Sequence, residues 1–159
     1  MSLPHDSFGE RLLHYMDAFQ ERLVTPNGDW TVKGFIDIYK RIYTISIDTK
    51  VLSKVLELLL CPVILRFGED QGYHIVLAQT QNQYPDISLI SKSDESVCIA
   101  VDIKTTYRTQ PNKNGNMRVS GMTLGTFGGY FRTRDRPVSS TFAYNRYAKH
   151  YVLGVIYNR

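Results

Sequence analysis

Residues 98–107 read CIAVDIKTTY, an apolar run closing on an aspartate and a lysine two positions apart. In a strand, side chains alternate between faces, so Asp102 and Lys104 project the same way with Cα atoms roughly 6–7 Å apart. Cys98 and Ala100 precede them on that face and are small, which leaves room. Val97, Ile99, Val101 and Ile103 share the other face and must meet the core. Upstream, NQYPDISLIS places Asp86 at the start of another strand, after a proline that fixes φ and pushes Tyr84 extended. If the two strands form a hairpin turning near residue 94, Asp86 falls beside Asp102.

Two neighbouring carboxylates repel, and a hard divalent cation is one way to hold both ionised. Mg2+ takes oxygen ligands, commonly one or two carboxylates. Such a set suits phosphodiester hydrolysis, with the cation polarising the phosphoryl oxygen. Lys104 would steady the nucleophile or the charge developing in the transition state. The bland alternative is an ion-paired strand end, with Lys104 satisfying Asp102 and Asp86 merely following a turn. On the residues alone both readings stay open.

The elements that must position these groups are legible as patterns. Ser7 and Glu10 have capping-box spacing, and Phe8, Leu12, Tyr15, Met16, Phe19 and Leu23 follow a helical period. Pro26-Asn27-Gly28 stops that single helix. Residues 30–47 are rich in aromatic and β-branched types and predict one or two short strands. A second helix is predicted from Asp48 as N-cap, with Pro62 kinking or splitting it and Gly72 ending the continuation. Glu57 stands among leucines on it and reads as a solvent-facing edge position. Strands are expected at Tyr73–Ala78, Ile87–Ser91 and Val97–Tyr107, the last two joined by the polar turn 92–95. A long loop containing Pro111 and Asn114-Gly115 follows, then an irregular glycine-rich stretch at 117–142, then a strand at Tyr151–Tyr157.

The chain has 159 residues, 43% hydrophobic and 21% charged, the balance of an ordinary globular domain with one core. Its densest apolar stretch, VLELLLCPVIL, is short and broken by Glu57 and Pro62, so it is not a membrane span. The N-terminus lacks a basic region followed by an apolar one, and Cys61 and Cys98 have no metal spacing and read as reduced core residues. A cytoplasmic protein is expected. The net charge of +4 conceals an asymmetry. Residues 1–107 are net acidic. Residues 108–149 carry Arg108, Lys113, Arg118, Arg132, Arg134, Arg136, Arg146 and Lys149 against Asp135 alone, which suits phosphate contact or a solvated loop face.

QNQYPDISL followed by AVDIKTTY closely resembles the active-site hairpin of EcoRV-type restriction endonucleases, type II enzymes of the PD…(D/E)xK superfamily. SIDTKVLSKVLELLLCPVI resembles the helix before that site, and MTLG and HYVLGVIYNR resemble later segments. The likeness covers most of the chain from about residue 35 and is weaker in the first helix. TLGTFGGYF differs from its counterpart. The resemblance implies a mixed α/β fold, restriction-endonuclease-like, with a central mixed sheet flanked by helices and the catalytic hairpin at one end. It implies Mg2+ as cofactor, with Asp86 and Asp102 as catalytic ligands, Glu57 as an auxiliary acidic residue at the metal and Lys104 as the catalytic lysine.

It further places Gln81 and Asn82 in a loop lying in the DNA minor groove. Thr105, Thr106 and Tyr107 fall where phosphate contacts are expected, and Thr123 in another DNA-facing segment. The implied partners are double-stranded DNA and a second copy of the chain, with a cognate DNA methyltransferase in the same system. Two-fold symmetry suits a palindrome cut on both strands. The expected organisation is one nuclease domain: an N-terminal helix and dimerisation strands (1–47), a catalytic core (48–107) and a basic DNA-facing segment with a final strand (108–159). Members of the family continue past the position matching Arg159 with the part that reads the major groove. The expectation is therefore a fragment, one half of a split enzyme or a degenerate copy. An inactive DNA-binding remnant or a dimerisation module is the alternative function.

Overall fold

The computed structural model describes residues 6–45, 49–80, 82–111, 113–122 and 128–158. They group into two compact units, Met1–Phe67 and Gly68–Arg159. Gln81, Thr123 and the expected N-cap Asp48 lie outside the described residues.

In the first unit the expected single helix is two, α1 (Ser7–Leu13) and α2 (Met16–Leu23). The cap is Asp6 rather than Ser7, its Oδ1 accepting the Gly9 N–H at 3.1 Å. The chain breaks at His14–Tyr15, where the Tyr15 ring meets Phe67 edge-on at 5.0 Å, as Phe8 does at 5.3 Å. Tertiary aromatic packing thus overrides a continuous helical period. A turn with Gly28 at φ 83° follows, closed by a bridge between Val24 and Trp30. Strands β1 (Gly34–Ile36) and β2 (Ile42–Thr44) form an antiparallel ribbon. Asp37 organises its turn by accepting the N–H groups of Tyr39 and Arg41, both at 2.9 Å.

Helix α3 runs uninterrupted from Thr49 to Asp70, through Pro62. The kink or split expected there does not end the helix. Proline removes the partner of the Leu58 carbonyl, and Leu58 is 64% exposed, so water can take that bond. The opposite side, with Leu56, Leu60, Ile64 and Phe67, is fully buried. Gly72 at φ 76° ends the turn after it.

The second unit is built on a four-stranded sheet in the order β3 (Tyr73–Leu77), β4 (Ile87–Ser91), β5 (Cys98–Arg108), β6 (Lys149–Asn158). The first two pairings are antiparallel and β5–β6 is parallel, so the sheet is mixed, as expected. Gly68, the first residue of this unit, packs tightly on the sheet: a Cβ there would stand 3.0 Å from Leu89 and 3.2 Å from Ile75. The irregular stretch contains a short helix α4 (Gly128–Arg132) and is followed by a 3₁₀ turn (Tyr144–Arg146).

One expectation needs correcting. The small residues Cys98 and Ala100 do not leave an open face. They form a buried cluster with Tyr84, Tyr130 and Tyr147, against which Phe131, Phe142 and Tyr144 pack. The small side chains are what admit so many rings. Ser88 on the same face hydrogen-bonds the Tyr147 hydroxyl at 2.8 Å.

Candidate active site

The β4–β5 register pairs Ile87 with Val101, Ser88 with Ala100 and Leu89 with Ile99. Continuing it one step sets Asp86 beside Asp102, as the hairpin centred near residue 94 requires. Strand β4 begins only at Ile87 while β5 continues to Arg108, so β5 has no β4 neighbour at the site. The Asp86 carboxylate fills that gap: its Oδ2 accepts the Ile103 N–H at 2.7 Å. The Asp86 carbonyl meanwhile accepts the Ala78 N–H at 3.0 Å, tying the residue to the end of β3. One acid therefore closes a broken ladder on both sides.

Asp102 is 2% exposed, an unusual place for a carboxylate. It forms an ion pair with Lys104, whose side chain is 21% exposed and carries its charge toward the rim. On β6 the residues opposite them are Val152 and Gly154. Met122 lies over that glycine, where a Cβ would stand 3.1 Å from its methyl carbon.

Beneath the acids, Tyr84 is fixed at three points. Its N–H donates to the Ser139 carbonyl (3.0 Å), its carbonyl accepts the Thr141 N–H (2.8 Å), and its hydroxyl meets His150 Nδ1 (3.2 Å). Burial pushes the Tyr84 phenol up, reinforced by the charges of Asp102 and Asp86, so it stays neutral. Burial pushes His150 down, favouring the neutral imidazole, which stacks on Tyr144 at 4.7 Å. Neither Tyr84 nor His150 was singled out as a functional residue from sequence. The available signal was parity: His150 pairs with Ala100 and so shares the face of Asp102.

Asp86, Asp102 and Lys104 are thus brought together. Glu57 lies in the first unit, half-buried on α3, its carboxylate paired with Lys54 at 2.6 Å. Asn82 is exposed in the turn between β3 and β4. Thr105 and Tyr107 are half-buried, the latter 6.1 Å from the Tyr157 ring. Thr106 is buried at 4%, its hydroxyl donating to the Ser120 carbonyl at 2.6 Å.

Among the described residues no group of three His, Cys, Asp or Glu side chains gathers as a metal cage. Two adjacent carboxylates are nonetheless the donor set that Mg2+ takes while keeping several waters. The residues present fit that ion. Among the described residues no helix is long and apolar enough to cross a membrane.

A mixed sheet with this acid-bearing hairpin defines an α/β protein of the restriction-endonuclease kind. The chain belongs to the EcoRV restriction endonuclease family, whose model, described as restriction endonuclease EcoRV, matches residues 26–159. It is 33% identical over 137 residues to the type II restriction enzyme EcoRV of Escherichia coli, covering 86% of this chain and 53% of that protein. The chain spans about half the length of that relative.

Proposed function

We propose that the chain acts as a Mg2+-dependent type II restriction endonuclease, hydrolysing phosphodiester bonds of double-stranded DNA at a short palindromic site. The observation that carries this is the convergence of Asp86, Asp102 and Lys104 at the open end of the β4–β5 pair. Asp86 and Asp102 would hold the cation, which supplies charge to the phosphoryl oxygen when bound. Lys104 places a cation where negative charge develops in the transition state. The Ile103 N–H keeps the Asp86 carboxylate aimed across the strand end.

Action on two strands at a palindrome calls for a symmetric homodimer. The β1–β2 ribbon supports this, since Phe35, Ile36, Ile42 and Tyr43 are all about half exposed or more. A cytoplasmic setting and a cognate methyltransferase in the same system belong to the same proposal. A second reading, a module that binds DNA without cutting it, draws on the basic excess of residues 108–149.

Incubating supercoiled plasmid with the chain, with and without Mg2+, separates the two. Cutting or nicking that needs Mg2+ and disappears in Asp102→Ala, while DNA retention survives, is the expected result. Retention without any Mg2+-dependent nicking selects the binding module. Cutting by Asp102→Ala at the wild-type rate overturns the assignment of the site.

A further inference from the structure

The stretch after the catalytic strand, expected as a long loop, closes on itself. The Thr109 N–H donates to the Arg118 carbonyl at 2.8 Å, and the Ser120 N–H donates to the Tyr107 carbonyl at 2.9 Å. The Thr109 hydroxyl returns a further bond to Arg118 at 3.1 Å, and Arg108 and Val119 form an antiparallel bridge. Gly115 at φ 75° supplies the left-handed residue near the tip. The result is an exposed arm, described at 108–111 and 113–118, continuous with β5, its base pinned by the buried Thr106 hydroxyl on Ser120.

Its charge is one-sided. No Asp or Glu occurs from 103 to 134, and Arg108, Lys113 and Arg118 on the arm are all exposed. Two other cations of the basic segment, Arg146 and Arg134, are committed elsewhere. Arg146 donates to the carbonyls of Ser96 and Glu95, clamping the β4–β5 turn. Arg134 donates to the Phe131 carbonyl at 3.3 Å and lies over the Tyr144 ring at 5.1 Å. Arg108 instead stands on the same strand as Asp102 and Lys104, with Lys113 and Arg118 on the arm that continues it. Arg108 is four residues beyond Lys104, about 13 Å along the strand, or about four nucleotide steps of axial rise.

We propose that the 108–118 arm is a clamp for the phosphate backbone of duplex DNA, with Arg108, Lys113 and Arg118 contacting phosphates away from the scissile one. Thr106 is its positioning residue, which gives that hydroxyl a role at the arm's base instead of on phosphate. This rests on the DNA-directed reading above and adds the residues that hold the duplex. Because β5 carries both the acids and the arm, seating the backbone on the arm sets which phosphate reaches Asp102.

Fluorescence anisotropy with a labelled duplex and EDTA, between about 50 and 200 mM salt, tests it on the full chain. The variants are Arg108→Ala/Lys113→Ala/Arg118→Ala and, separately, Thr106→Val. Three lost phosphate contacts should flatten the slope of log K against log salt by about 2.7. Across that fourfold rise in salt, the wild type should lose about fortyfold more affinity than the triple variant. Thr106→Val retains every charge and should bind about fivefold more weakly at low salt, with a melting temperature about 2–4 °C lower; binding equal to that of wild type overturns its positioning role. Equal slopes for wild type and triple variant overturn the clamp and leave the DNA reading standing. Failure of the wild type to retain duplex at low salt removes the DNA reading, and the clamp falls with it.

Discussion

Replacing Lys104 by alanine should reveal what the buried Asp102 carboxylate costs the fold. The Asp102 side chain is 3% exposed and its ion-pair partner is 21% exposed. Breaking a buried pair by deleting one member typically costs about 3–5 kcal/mol, because the remaining charge is left uncompensated. Lys104 is a fifth exposed, so solvent already screens part of the attraction, and about 3 kcal/mol at pH 8 is the reasonable figure. In the variant, the buried carboxylate loses the Lys104 charge, and burial favours its protonated form relative to the unfolded chain. Stability gained by that protonation is present at low pH and lost as pH rises. The deficit relative to wild type should therefore be largest at pH 8 and shrink toward pH 5. Asp102→Asn removes the charge and keeps the shape, so it should cost less than about 1 kcal/mol, and the double variant should match it rather than sum the two. Urea unfolding followed by the single Trp30 at pH 5 and pH 8 measures all four proteins. A Lys104→Ala deficit below about 1 kcal/mol at pH 8, or a double variant no more stable than Lys104→Ala, would refute the account.

Tyr130 is fully buried and its hydroxyl meets no hydrogen-bond partner among the described residues. Tyr130→Phe should therefore stabilise by about 1 kcal/mol and raise the melting temperature by about 2–4 °C; a fall would mean the hydroxyl is satisfied. His150 is held below its ordinary value by burial. Above about pH 6.5 both folded and unfolded forms are neutral; as pH falls below that, the unfolded chain binds the proton first and stability is lost. Wild type should consequently lose more stability than His150→Asn between pH 7 and pH 5, and parallel curves would contradict this. A Cβ at Gly34 would collide with the Tyr43 carbonyl across the ribbon. Gly34→Ala should accelerate amide exchange in residues 34–44 while leaving β4 and β5 protected, and unchanged exchange in the ribbon would count against the close approach.

Alternation along a strand is a property of the backbone, and the short turn at 92–95 leaves little freedom in how two strands register. That is why Asp86, Asp102 and Lys104 could be set side by side from their numbering alone, and why the observed Ile87–Val101 pairing agrees. Glycine and asparagine near 114–115 likewise marked a turn, though not that the strands on either side of it would bond. The helix patterns were weaker guides. Phe8 to Leu23 kept one period through a break that Tyr15 and Phe67 impose, and Pro62 was tolerated because it faces water.

The residue order by itself determined which strands form, which groups share a face, and that the second half of the chain presents an excess of positive charge. Only the tertiary structure decided what covers each face. Rings from Tyr130, Tyr144 and Tyr147, dozens of residues downstream, fill the space above Cys98 and Ala100, and Ser120 turns the Thr106 hydroxyl inward. The physical reason is range: side-chain direction is set by φ and ψ at one residue, whereas burial is set by whichever distant segment packs there.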